Sequence, residues 1–283
     1  MPDIYNTLPI KGVARTVAEV LGVPAPEGAA RGLDFVVRAL QAQLGGPADR
    51  AVLYHADAVG MHLIQRYTER FIPVLERASV CVPMVSTVMS LTPVAHASMY
   101  TGLDPEAHGI RVYERPRLSC ETLFDTLLAA GRRPGVIAMT DSTFLHIFAQ
   151  RDMPYYEVKN NGEALAKAEE LMAEGRCDVL SIHTFEYDDA AHAQGPTSPG
   201  ALEAAEREAQ GFAKVHGLIS RYWGNTGAVL AYLPDHGQHW VEPWEPNPHH
   251  YKGDHGSFLG EDMNVLHYYC AVSGQSLGKQ IPT

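Results

Sequence analysis

The chain has 283 residues, of which 46% are hydrophobic and 19% charged, enough apolar material for a sizeable core and too few charges for a disordered chain. Its 22 lysines and arginines against 33 aspartates and glutamates leave a net charge of −11, which argues against bulk binding of nucleic acid or of an anionic membrane surface. No apolar run reaches the roughly 20 residues that cross a bilayer.

The opening residues, MPDIYNTLPIKGVAR, lack the charged-then-apolar pattern of a secretory leader. The cysteines Cys81, Cys120, Cys177 and Cys270 are scattered, with no C-x-x-C pair, and read as buried thiols in a reducing compartment. These features predict a soluble cytoplasmic protein. Along the chain, a helix is predicted over Leu33–Leu44, a strand over Ala51–Ala56, a helix over Met61–Arg77 and a strand over Ser79–Val85. Next come a helix over Glu121–Ala130, strands over Gly135–Thr140 and Tyr155–Lys159, a helix over Gly162–Glu174 and a strand over Asp178–Phe185. The long helix Pro199–Tyr222 and the strands Gly227–Pro234 and Val265–Val272 complete the pattern. Strands alternating with helices predict an α/β fold, a mostly parallel central sheet with helices on both faces. Pro- and Gly-rich stretches near 22–32, 195–200 and 242–256 read as surface loops of one domain spanning 1–283.

In such a sheet, ligands bind outside the carboxyl ends of the strands, so polar residues that follow a strand are the ones to weigh. Asp57 ends the run AVLYHAD and reads either as a metal ligand or as a cap for the helix after it. Thr92 precedes Pro93 at a predicted helix start, where a hydroxyl serves either as a cap or as a nucleophile once activated. Asp188 and His192 stand four apart and share one face if the segment is helical. Asp235-His236-Gly237 follows a strand, and Asp254-His255-Gly256 repeats the same letters, so spelling alone leaves open which pair binds metal. Of 14 histidines, five fall within positions 236–255; His239, His249 and His250 read as loop residues, and His62, His146 and His216 as helix-surface residues. Together these places put three carboxylates, three histidines and a threonine at one sheet edge. Nitrogen and oxygen ligands without cysteine suit Zn²⁺ or Mn²⁺, and seven ligands divide between two ions.

In order and spacing, these segments resemble the alkaline phosphatase superfamily, and within it the type I phosphodiesterase/nucleotide pyrophosphatase branch. That branch has T-x-x-x-H followed by T-G-L-x-P-x-x-H-G-I, matched by Thr92, His96, Thr101-Gly102-Leu103, Pro105 and His108-Gly109-Ile110. Its D-x-x-G-H-x-x-G-P is matched by Asp188, His192 and Gly195-Pro196, with Ala191 in place of the glycine. Its D-H-G and final H-G correspond to Asp235-His236-Gly237 and His255-Gly256. The resemblance implies one divalent ion on Asp188, His192 and His255 that serves the attacking water. It implies a second on Asp57, Asp235, His236 and the Thr92 oxygen, a phosphothreonine intermediate, and a small-molecule phosphoester substrate.

Besides Ala191, the chain departs from that branch in three places. Ala95 stands where that branch commonly has an asparagine that donates to a phosphate oxygen, so either a donor comes from elsewhere, with Lys159, Asn160, Asn161 and Lys252 as candidates, or the substrate is different. The interval from D-H-G to the last H-G closes within positions 238–255, leaving almost no cap; a homo-oligomer whose neighbour walls the site is one expectation. Finally, Ile10–Pro26 is spelled like the helix with which relatives end. It reads either as a circular permutation that packs Met1–Pro26 beside Val265–Gly274 or as an ordinary amphipathic helix. The functional alternatives are a phosphonate or phosphomonoester hydrolase on the same core, or a metal-binding regulatory protein without turnover.

Overall fold

The computed structural model describes residues 4–273. Its ten strands are β1 (Leu8–Pro9), β2 (Arg50–Ala56), β3 (Val80–Val85), β4 (Pro134–Met139), β5 (Tyr155–Val158), β6 (Val179–Thr184), β7 (Ala228–Tyr232), β8 (His239–Trp240), β9 (Gly253–Asp254) and β10 (Asn264–Val272). Eight form one sheet in the order β1-β3-β10-β7-β2-β6-β4-β5, and β8 and β9 pair as a small separate ladder. All neighbours in the large sheet are parallel except β10, which runs antiparallel between β3 and β7. The expected α/β architecture with a mostly parallel sheet is what the chain forms.

Side-chain alternation builds a core on each face. From β2, Ala51 and Leu53 join one apolar cluster, whereas Val52, Tyr54 and Ala56 join the other. Helices α1 (Val13–Leu21) and α2 (Asp34–Leu44) supply the first cluster. The second is covered largely by α11 (Pro199–Tyr222), the longest helix, which buries Ala204, Phe212, Val215 and Ile219. A sheet covered on both faces explains why its central strands are nearly continuous apolar runs.

Two local expectations need correcting. The single helix over 61–77 is broken into α3 (Met61–Arg66), a 3₁₀ turn over Thr68–Phe71 and α4 (Ile72–Leu75). The break falls at Tyr67, with φ −125°, and Pro73 sits in the first turn of α4, where its missing N–H does no harm. A short helix over Thr143–Phe148, capped by Ser142, was absent from the periodic pattern because six residues carry too little of it. The N-terminal segment adjoins the start of β10: Asn6 N–H donates to Asn264 Oδ1 at 2.8 Å, and Asn264 Nδ2 donates to the Ile4 carbonyl at 2.8 Å. Of the predicted contact between Met1–Pro26 and Val265–Gly274, residues 1–3 and Gly274 lie outside the described residues. Among the described residues, no helix is long and apolar enough to cross a membrane.

Candidate metal centre

The carboxyl edge of the sheet gathers the seven predicted residues. Asp57 follows β2, Asp235 and His236 follow β7, and Thr92 opens α5 (Thr92–Thr101) beyond β3. Asp188 and His192 lie on α10 (Glu186–Gln194), which follows β6 directly and is helical as their spacing required. The capping readings fail: Gly60, not Asp57, caps α3, and Leu91 is the N-cap of α5 with no side-chain cap bond.

The donor atoms fall into two groups, each within 4.8 Å of one another: Asp57, Asp235 and His236, all buried, and Asp188, His192 and His255, half-buried. The groups adjoin, since the rings of His236 and His255 stack with centroids 4.0 Å apart. Thr92 Oγ1 lies 3.2 Å from His236 Nε2. The repeated D-H-G letters are thereby resolved: Asp235 and His236 both point inward, while only His255 of the second triplet joins, with Asp254 Oδ1 accepting the N–H of His255.

The donor set is arranged as a cation would require. Nδ1 of His192 faces the Gly253 carbonyl at 2.8 Å, Nδ1 of His236 the Gly237 carbonyl at 3.1 Å, and Nδ1 of His255 the Ser90 carbonyl at 2.9 Å. A carbonyl only accepts, so each Nδ1 carries the hydrogen and each Nε2 turns a bare lone pair to the cluster, the tautomer of a metal ligand. Burial, followed by the charges of Asp235 and Asp188, pushes the Asp57 carboxyl well above its ordinary range. Burial likewise raises Asp235 to about 7 and lowers His255 to about 4. Asp57 Oδ1 and Asp235 Oδ2 are buried without a hydrogen-bond partner. Buried carboxylates that share a site and each leave one oxygen unpaired are unfavourable without a cation, and the residues fit one.

Around these candidate ligands lies a supporting layer. His183, inside β6, places Nε2 2.9 Å from Asp57 Oδ2. Gln238 Nε2 donates to Asp188. His96 Nδ1 donates to the Thr92 carbonyl at 2.9 Å, holding the first turn of α5. The start of α10 is capped from outside: Glu208 on α11 accepts the Tyr187 N–H at 3.1 Å, and Asn161 Oδ1 accepts the Phe185 N–H. Two matched motif positions, Gly195 and His108, are structural. Gly195 adopts φ +96° where the Trp240 ring occupies the place of a side chain, and His108 receives the Ile110 N–H while bonding Ser98 at 2.9 Å.

A cavity of about 400 Å³ opens above Thr92 and Asp57 and is lined further by Tyr113, Arg115, Ser142, Thr143, His249 and Tyr251. The four expected replacement donors do not line it. Asn160 caps the helix Asn161–Ala173, and Asn161 is engaged with Phe185 and Glu208. The Lys159 amide bonds Glu163, and the Lys252 amide bonds the His192 carbonyl. All four follow or flank the sheet edge in sequence, yet none is among the residues that line the cavity. Ala95 is fully buried in the core. His239 is not a loop-rim residue: it is buried between Asp262, 2.8 Å from Nδ1, and Glu245, 3.3 Å from Nε2.

The model of the type I phosphodiesterase/nucleotide pyrophosphatase family matches residues 51–116, the stretch that holds Asp57, Thr92 and His108-Gly109-Ile110. No curated protein matches the sequence. Among solved structures, the chain is similar to phosphonoacetate hydrolase from Sinorhizobium meliloti 1021 in complex with phosphonoacetate, at 18% identity and a TM-score of 0.52, covering 68% of this chain and 57% of that one. It is also similar to an inactive form of murine ectonucleotide pyrophosphatase/phosphodiesterase 5 in complex with AMP, at 17% identity and TM-score 0.54, covering 69% and 59%. The human counterpart gives 18% and 0.54, covering 68% and 58%. The chain thus spans between 57% and 59% of the length of these structures. The likeness expected from the motifs is present, and the fold is alkaline phosphatase-like.

Proposed function

We propose that the chain is a metal-dependent phosphoester hydrolase of the phosphodiesterase/nucleotide pyrophosphatase type, with Thr92 as nucleophile. One observation carries the reading: two three-residue donor groups, their histidines each fixed with Nε2 inward, flank a buried threonine hydroxyl. Asp188, His192 and His255 would hold one divalent cation, and Asp57, Asp235 and His236 another; nitrogen and oxygen donors suit Zn²⁺ or Mn²⁺. Bound there, such cations supply positive charge for the phosphoryl oxygens and the leaving group and acidify the neighbouring hydroxyl.

The rest of the chemistry belongs to the chain. His96 holds the Thr92 carbonyl and so orients the first turn of α5. Thr92 Oγ1 loses its proton to solvent and attacks phosphorus; its new O–P bond forms as the ester bond to the leaving oxygen breaks. Water then cleaves the phosphothreonine, releasing phosphate or a phosphomonoester and restoring the hydroxyl. A threonine nucleophile argues against a sulfatase. The described cysteines are all free, which suits the reducing cytoplasm we assign to it. The open cavity also suits a homo-oligomer whose neighbour walls it. Phosphonate hydrolysis is the second reading, favoured by the similarity to phosphonoacetate hydrolase.

The test is a panel of chromogenic phosphate mono- and diesters with protein reconstituted in Mn²⁺ or Zn²⁺. Turnover that falls at least about a thousandfold in Thr92→Ala supports the reading. Full activity in that variant would remove the covalent route, and inertness on the whole panel with tight binding of two ions would favour a regulatory protein.

A further inference from the structure

Carboxylates dominate the cavity above Thr92: beyond Asp57 and Asp188, it is lined by Asp141, Asp189 and Asp254. Arg115 is the one lysine or arginine lining it among the described residues. It stands in the exposed segment 111–117, whose three arginines, Arg111, Arg115 and Arg117, form no ion pair or hydrogen bond with another described residue. Elsewhere in this acidic chain, arginines find carboxylates readily, as Arg133 does with Asp178 at 2.7 Å and Arg151 with Asp125 at 2.8 Å. A guanidinium that faces an acidic cavity and pairs with none of its carboxylates keeps its planar fork of donors open to a ligand. That fork matches a carboxylate or phosphate with two parallel hydrogen bonds.

We infer that Arg115 reads a second anionic group, a carboxylate or a second phosphate, carried by the substrate beside the phosphoryl group that Thr92 addresses. The inference rests on the proposed phosphoryl site and deepens it. Arg115 is a specificity residue on this reading: it selects substrates that carry two anionic groups over those with a single phosphoryl group. It also supplies polar recognition in a cavity to which the buried Ala95 contributes no side-chain donor.

Calorimetric titration of the Mn²⁺-reconstituted protein tests this without turnover, using three probes that share a phosphonate: ethylphosphonate, 3-phosphonopropionate and ethylenediphosphonate. The wild type is expected to bind one of the two probes that carry a second anionic group on the order of tenfold more tightly than ethylphosphonate. The probe that shows the gain identifies the second group as carboxylate or phosphate. Arg115→Ala is expected to abolish the gain while ethylphosphonate binds as before; the residue is exposed and unpaired, so the fold does not depend on it. Arg117→Ala removes the same charge from the same segment, outside the cavity, and is expected to keep the gain. No gain in the wild type, a gain that survives Arg115→Ala, or an equal loss in Arg117→Ala would overturn the inference. Failure of the wild type to bind ethylphosphonate at all would overturn the phosphoryl-site reading beneath it.

Discussion

Glu208 offers a test of how the fold holds helix α10, which carries Asp188 and His192. It lies fully within the core, 1% exposed, accepts the Tyr187 N–H through Oε1 and leaves Oε2 without a partner. Burial pushes its carboxyl from the ordinary 4.5 up to about 8, against the lowering influence of the Tyr187 and Asn161 donors. A raised carboxyl binds its proton more tightly in the folded state than in the unfolded one. Its contribution is therefore most favourable below pH 4.5 and is lost as pH rises toward 8. Between pH 4.5 and 7 this amounts to roughly 3 kcal/mol against folding, at 1.36 kcal/mol for each pH unit. Glu208→Gln keeps an oxygen for the Tyr187 N–H and removes the ionisation. Urea unfolding across pH 4.5–8 should then show the variant less stable than wild type by about 2 kcal/mol at the acid end, the cost of the amide it leaves unpaired, and more stable by about 2 kcal/mol at pH 8. Parallel pH profiles for the two proteins, or a variant weaker at pH 8, would refute the reasoning.

Other substitutions probe the loop between the two motif histidines. Burial lowers His239, but its hydrogen bonds to Asp262 and Glu245 prevail and raise it to about 9. The stabilisation it gives should be complete below pH 6.5 and fade as pH climbs through 9, and His239→Ala should cost roughly 3 kcal/mol at pH 6, read by thermal unfolding. Gly237 packs where a Cβ would collide with the Glu261 carbonyl and crowd Gly60 Cα at 2.8 Å. Gly237→Ala should destabilise the protein by more than about 3 kcal/mol and weaken metal binding at the neighbouring Asp235 and His236, which calorimetry with Mn²⁺ would register.

Much of this molecule can be read from its letters, because strand, ligand and turn recur in the same order. Asp57, Asp235 and His236 are legible as polar residues that break apolar runs, and the spacing of Asp188 and His192 anticipates a helical turn. The supporting residues are not. His183 sits inside the run VLSIHT, where the two-sided burial of β6 masks an inward-facing imidazole. Glu208 belongs to a helix that also carries Glu203 and Glu206 outside the core, and only the packing of α11 against α10 distinguishes it. The donors expected from residues 159–161 or Lys252 do not line the cavity: Asn160 and Asn161 are spent on the start of the helix 161–173 and on Phe185 and Glu208, and nearness in sequence to the sheet edge does not place a side chain in the site. Arg115 lies in an exposed stretch with neither periodicity nor motif, so its place in the cavity emerges only in three dimensions.

The central claim, that the two donor groups hold a pair of divalent cations beside Thr92, is tested most directly by the metal stoichiometry of the reconstituted protein, located by anomalous scattering from a crystal. The account predicts two ions per chain, one on Asp188, His192 and His255 and one on Asp57, Asp235 and His236, with the first lost selectively in Asp188→Ala. A single ion, none, or ions bound elsewhere in the chain would contradict it.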